Sequence, residues 1–295
     1  MAFVRGQALS IAAIAAVGFL GAPVIAPEFG HVGAVAIAEP ADGISTTPRL
    51  ASVDNFRDVA GPGDGYALGA GEHMRKGVLF RSSVLRPDAA DMATLIGLHL
   101  THDYDLRTSA EIAGSPDSVP PGTTYTHINI IGDQSPLPAM TNMSAPRARQ
   151  LLIDLNKAFV DDAGERERFG ELFRSIASNP APQVFHCSSG KDRTGWAGAV
   201  LQTLVGASPA DVMSDYLLTN EYSRDSIDAA AEAATAEYGR DAGAGTRVML
   251  GVFPEALQAG LDRVHARYGT MERYLTDGVG LDAGTITALK AALTA

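Results

Sequence analysis

Residues 183–195 read Gln183-Val184-Phe185-His186-Cys187-Ser188-Ser189-Gly190-Lys191-Asp192-Arg193-Thr194-Gly195. Cys187 is the only cysteine in 295 residues. Short apolar residues lead into it as a buried strand would. Small residues follow, then Arg193, and apolar residues at helical spacing begin at Trp196. The pattern predicts a strand, a tight loop and a helix start. A helix start offers unpaired N–H groups and the positive end of the helix dipole, so it attracts anions. Successive loop N–H groups form a concave nest suited to phosphate. A cysteine at the mouth of such a nest has a lowered pKa and stands as thiolate, the reactive form. Arg193 can fork onto two phosphate oxygens. The plainer reading makes Cys187 a small buried hydrophobe; the strand–loop–helix context weighs against it.

The string HCSSGKDRTG resembles the signature loop H-C-x5-R-[ST] of the cysteine-dependent protein tyrosine phosphatase superfamily, and more narrowly its bacterial PtpB-like branch. Asn55-Phe56-Arg57-Asp58-Val59-Ala60-Gly61, Phe80-Arg81-Ser82-Ser83, the stretch Asp105-Leu106-Arg107-Thr108 with Glu111, and Tyr268 to Leu275 (YGTMERYL) resemble further markers of that branch. The resemblance covers about residues 50–292. It implies an α/β fold with a central mixed, mainly parallel sheet flanked by helices. It also implies a C-terminal helical lid in the region of residues 210–250. The implied activity is hydrolysis of phosphate monoesters, protein phosphotyrosine first, with phosphoserine/threonine or phosphoinositides as further substrates. No cofactor is expected.

On that reading Cys187 attacks phosphorus, and Arg193 with the N–H groups of Ser188, Ser189, Gly190 and Lys191 holds the phosphoryl oxygens. His186 braces the loop by hydrogen bonding. Thr194 donates to the sulfur, caps the helix, or does both. Two carboxylates compete as the acid that protonates the leaving group. Asp133 lies where conventional tyrosine phosphatases carry a Trp-Pro-Asp, a tripeptide missing here. Asp192 lies inside the loop, and an aspartate there has that role in the PtpB-like branch. Asp192 is preferred because an acid must be rigidly placed; its alternative role is to cap the next helix. Lys191 adds charge for multiply phosphorylated ligands, offsets Asp192, or stands solvated at the rim. A catalytically weak phospho-ligand binding module and a rhodanese-like sulfurtransferase are the competing classes.

The elements that must hold these groups follow from pattern. Arg57 and Asp58 are expected to pair with each other in an entry strand, since buried charges are normally paired. Val78 to Ser83 and Leu100 to Leu106 read as strands, with a helix from Pro87 to Leu98 between them. Arg107 with Glu111 is read as structural, and Asp105 as a residue at the margin of the site. His99, His102 and Asp103 alternate across a strand, so they make a poor metal cluster. Thr124 to Ile131 alternates as a strand, and residues 132–144 read as an irregular, mobile loop. Helices run from Ser144 through Phe159, around Phe169 to Ile176, from Thr194 to Val205, and from Asp211 to Asn220. Ser226 to Tyr238 is alanine-rich, Gly239 to Gly245 reads as a hinge, and helices follow at Pro254 to Tyr268 and after Asp282.

A net charge of −11 argues against a nucleic-acid binder, which needs a basic face. Residues 1–38 read as a secretory signal: Arg5 gives the positive start, Ala8 to Ala26 the apolar run, and Ala36-Ile37-Ala38 the cleavage site. Export to the cell envelope or beyond is therefore expected. An uncleaved anchor is the alternative, although the apolar run is short and glycine-broken for a membrane span. Residues 39–50 read as a linker and 51–295 as the phosphatase domain. The expected partner is a phosphorylated protein or phosphoinositide, with no stable membrane span.

Overall fold

The structure, a computed structural model, describes residues 48–133 and 143–295. The signal segment, residues 39–47 of the linker and residues 134–142 of the expected mobile loop lie outside the described residues. Among the described residues no helix is long and apolar enough to cross a membrane.

A five-stranded sheet carries the site. Its strands are β1 (Arg57–Asp58), β4 (Leu79–Ser82), β5 (His102–Asp105), β6 (Thr124–His127) and β7 (Gln183–His186), in the order β1-β4-β7-β5-β6. β1 runs antiparallel to β4; every other pairing is parallel. The sheet is thus mixed and mainly parallel. A small hairpin, β2 (Ala67–Gly69) with β3 (Glu72–His73), stands apart from it. β7 is the central strand, and His186 lies in register with Ser82 on one side and Asp105 on the other. The chain leaves β7 at its carboxyl end, where open α/β sheets hold their ligands.

Strand alternation splits the core in two. Phe185 and Tyr104 face the larger cluster, while Val184 and Phe80 face a smaller one with Leu50, Phe56 and Leu95. Leu50 is therefore already in the folded body rather than in a linker. The small cluster is covered by α1 (Ala89–Gly97), capped by Asp88, so Pro87 stands just before the helix and not in its first turn. The short α2 (Ser109–Gly114) opens with a Thr108/Glu111 capping box.

On the other face lie α3 (Ala145–Asp161), α4 (Ala163–Ser178) and α5 (Arg193–Val205). Trp196 of α5 is fully buried against Phe159 and Tyr274, with ring centroids 6.2 and 6.0 Å away. Such pairs add about 0.5–1.5 kcal/mol each beyond the area they bury, so α5 is pinned one turn from the loop it carries.

The chain continues through α6 (Pro209–Leu217) and the separate turn α7 (Thr219–Tyr222), which break the helix expected to run to Asn220. A helical hairpin follows, α8 (Arg224–Tyr238) and α9 (Arg240–Leu250), then α10 (Pro254–Tyr268), α11 (Met271–Arg273) with a wide turn over Tyr274–Gly278, and α12 (Ala283–Leu293). The hinge expected at Gly239 to Gly245 is a single break at Gly239 followed by helix. Its glycines serve packing: a Cβ on Gly243 would strike the Thr235 side chain at 1.8 Å, and one on Gly245 the Met143 carbonyl at 1.6 Å. Close helix approach overrides the weak helix propensity of glycine here.

Candidate active site

Residues 187–192 form the turn between β7 and α5. Gly190 sits at φ +66°, and a Cβ there would lie 2.3 Å from the Ser82 carbonyl oxygen, so only glycine fits. Three successive loop carbonyls are held from outside. Ser188 O accepts from the Val84 N–H at 3.1 Å, and Ser189 O from the Asn55 side-chain amide at 3.1 Å. Gly190 O accepts from that same amide and from Arg81 Nη2, both at 2.8 Å. In a trans peptide the N–H points opposite to the C=O. The N–H groups of Ser189, Gly190 and Lys191 are thereby turned to the concave side, which makes the nest.

Cys187 lies at its base, 2% exposed. Burial pushes its thiol pKa up, but the Arg193 guanidinium and the hydroxyl and N–H of Thr194 outweigh burial and leave it below the ordinary thiol value. The Thr194 hydroxyl is fully buried and has no conventional hydrogen-bond partner among the described residues, which leaves it free for the sulfur.

Arg193 is fixed from one side by Glu111. Nη1 and Nη2 donate to its two carboxylate oxygens at 2.8 and 2.7 Å, and Nη1 also reaches the Leu106 carbonyl at 3.2 Å. The Ser188 hydroxyl donates to Glu111 at 2.5 Å, and the Thr108 N–H at 2.9 Å. Burial alone would raise the Glu111 carboxyl; Arg193, Ser188 and Thr108 carry it down to about 2. The expected Arg107–Glu111 pairing is thus replaced by Arg193–Glu111.

Lys191 and Asp192 pair with each other, Nζ lying 2.9 and 2.8 Å from the two carboxylate oxygens. Asp192 makes no side-chain cap to α5. Beneath the loop, buried His186 touches the Cys187 carbonyl through Nδ1 at 3.2 Å and Asp103 through Nε2 at 3.3 Å, the latter a charge contact rather than an aligned hydrogen bond. Burial lowers its pKa, yet Asp103, Asp105 and Asp117 together raise it to about 9. The folded value lies above the unfolded value of 6.5. The stability this charge contributes is therefore complete below about pH 6.5 and is lost as pH rises through about 9. Urea midpoints followed by Trp196 emission should fall across that window, and His186→Gln should flatten the fall.

Asp105 is not at the site margin. It is fully buried, holds Arg107 with both oxygens at 2.8 and 2.7 Å, and accepts from the Tyr125 hydroxyl. Arg107 also bonds Asp117 and the Ser115 carbonyl. Oxygens of Asp105 and Asp117 and a ring nitrogen of His186 converge within 4.8 Å, which resembles a metal group. The guanidinium already occupies the carboxylates, and an imidazolium has no lone pair to give, so the group does not fit a metal. Asp133 is exposed and accepts from the N–H and hydroxyl of Ser109, each at 2.9 Å, and from Asn129. It thereby clamps the start of α2, the helix that carries Glu111.

Arg57 and Asp58 do not pair, because successive strand residues point to opposite faces. Arg57 goes to Asp215 at 3.1 Å and to Asn55, while Asp58 holds the N–H groups of Ala60 and Gly77 and lies 3.6 Å from Lys76. Asp215 also binds Arg81 at 2.8 Å. Asn55, Arg81 and Asp215 were not among the site candidates. Asp215 left one signal, an acid in the apolar stripe of α6, since buried acids need partners.

A cleft of about 840 Å³ lies between α6–α7, the α8–α9 hairpin and the start of α10; no residue of the signature loop lines it. No hydrogen bond or ion pair joins that hairpin to residues 186–194 among the described residues.

A family model described as the tyrosine phosphatase family matches residues 48–295. A tyrosine-protein phosphatase of Nostoc commune is 30% identical over 216 residues, 69% of this chain and 69% of its own length. The triple specificity protein phosphatase PtpB of Mycobacterium tuberculosis is 27% identical over 281 residues, 81% of this chain and 96% of its own. With a cysteine and an arginine in an anion nest at the end of the central strand, and a family match that spans all the described residues, the chain belongs to the tyrosine phosphatase family, as a protein-tyrosine phosphatase.

Proposed function

We propose that the chain hydrolyses protein phosphotyrosine in two steps through a phosphocysteine at Cys187. The thiolate forms the S–P bond as the P–O bond to the tyrosyl oxygen breaks, and that oxygen takes its electron pair and a proton from the acid. Water then attacks phosphorus and gives a proton to the acid, now a carboxylate, and the thiolate leaves with the S–P electrons, steadied by Thr194 and Arg193. The observation that carries this reading is a thiol held below its ordinary pKa in spite of burial, at the base of a loop whose carbonyls are held outward. Acid quench in the first turnovers, followed by mass spectrometry, should find one phosphoryl group on the peptide bearing Cys187. A steady-state enzyme with no such adduct under conditions that preserve thiophosphate esters would sink the mechanism.

Asp192 is the proposed acid. It must release Lys191 to take up and give a proton, and an arriving phosphate dianion draws that ammonium away. Asp133, by contrast, has its oxygens committed to Ser109 and Asn129. Asp192→Asn should cost about 100-fold on phenyl phosphate and little on p-nitrophenyl phosphate, whose leaving group needs no proton. Asp133→Asn should leave both near wild type. The reverse ranking would transfer the role to Asp133.

Lys191, 3% exposed within the loop, supports extending the substrate range to phosphoserine/threonine and phosphoinositides, as does the word triple in the PtpB relative's name. A turnover panel across the three classes tests this, and thiosulfate belongs in it as the sulfurtransferase control. Export under residues 1–38 is part of the proposal; N-terminal sequencing of the mature protein reads it.

A further inference from the structure

We propose that Asn55 is a positioning residue: its side-chain amide sets the carbonyls of Ser189 and Gly190 outward and so holds the loop N–H groups in their anion-binding arrangement. The inference deepens the reading above by assigning the shape of the nest to a residue 134 positions away from Ser189 in sequence.

Three observations carry it. First, Asn55 is 1% exposed and stands at φ +60°, in the left-handed region that side chains rarely adopt. Asparagine tolerates that region better than most, but at some cost. Second, its amide orientation is fixed by chemistry. Arg57 can only donate, so the atom facing it is Oδ1; the two loop carbonyls can only accept, so the atom facing them is Nδ2. Third, the amide is itself held. Arg57 grips Oδ1 and is tied to Asp215, which also ties Arg81, the second donor to Gly190 O. Asp215 is 1% exposed and Arg57 and Arg81 are 2% and 0% exposed, so neither guanidinium can drift into water without breaking the set. The Thr219 hydroxyl adds a further acceptor for Nδ2 at 3.3 Å.

The rival explanation is that asparagine is present only because the backbone turns left-handed. Glycine separates the two, since it adopts φ +60° more readily than asparagine and carries no amide. Asn55→Asp is the second variant. It keeps the shape and the contact with Arg57 but turns an acceptor toward the carbonyls of Ser189 and Gly190.

Cys187 is the only cysteine, so the pH dependence of iodoacetamide alkylation reads its thiol directly, without turnover. In the wild type, inorganic phosphate should slow that alkylation. Both variants should lose about 10- to 100-fold in kcat/KM, as displacement of positioned groups by about 1 Å does. Their alkylation inflection should move up by about one pH unit, because a relaxed loop withdraws N–H groups from the sulfur. Protection by phosphate should weaken in parallel. A folded Asn55→Gly with wild-type turnover and wild-type inflection would overturn the proposal. Failure of both variants to fold would also count against it, since a residue confined to shaping the loop is not needed by the rest of the core. Because alkylation and phosphate protection do not depend on a phosphocysteine, failure of the two-step mechanism would leave this readout standing, and the reverse.

Discussion

Replacement of Cys187 by serine is expected to lower p-nitrophenyl phosphate hydrolysis by about 10⁴-fold or more while leaving phosphotyrosine-peptide binding and the fold intact. A serine hydroxyl fits the space of the thiol, but with no base beside it the hydroxyl is a far weaker nucleophile at neutral pH. His186 cannot supply that base. It faces Asp103 under the loop, and its raised pKa keeps it protonated at neutral pH. The groups that bind the phosphoryl are separate from the sulfur: inward N–H groups, the Arg193 guanidinium and the α5 start. Binding should therefore survive, and Trp196, the only tryptophan and one turn into α5, is placed to report it by emission. Wild-type turnover in this variant would end the thiolate mechanism. Loss of binding together with turnover would mean that the sulfur itself shapes the nest.

What could be read in the sequence was what the chain keeps local. The loop is contiguous, so Cys187, Gly190 and Arg193 announce a strand, a turn and an anion-binding helix start from types and spacing alone. The mainly parallel sheet followed from the resemblance and from strand-like segments separated by helices. The supports of the loop were hidden because they are long-range. Asn55 and Arg81 reach Gly190 across more than 100 residues, at sequence separations of 135 and 109. Adjacency also misled. Arg57 and Asp58 are neighbours in the chain, and the strand that contains them puts them on opposite faces. Arg107 and Glu111 look like partners on one turn, yet Asp105 and Asp117 claim the arginine, and the capping box of α2 aims Glu111 at Arg193. The glycines from 239 to 245 read as a hinge by composition, whereas helix contacts decided their role.

Arg193→Lys is expected to cost about 10³-fold in kcat/KM, although it conserves charge. The reason lies in how the guanidinium is already spent. Of its five N–H groups, three are engaged among the described residues: both on Nη1, by Leu106 and Glu111, and one on Nη2, by Glu111. The two that remain are Nε–H and the second Nη2–H, and they share one edge. That edge matches two oxygens of a phosphoryl group bidentately. Glu111 thus holds the arginine by one edge and presents the other, a division of labour that an ammonium cannot copy. Glu111→Gln tests the same point from behind. It keeps the shape of the clamp but replaces one acceptor with a donor facing a donor, and should cost about 10- to 100-fold. In the Arg193→Lys background the same change should cost little more, since the clamp then has no fork to aim. Additive losses in the double variant would show that Glu111 acts independently of Arg193. The clamp also has its own pH limit. The Glu111 carboxyl is depressed to about 2 from an ordinary value of 4.5, so its contribution is complete above about pH 4.5 and is lost as pH falls through about 2. Acid unfolding of Glu111→Gln should accordingly lack the component that the wild type shows in that interval.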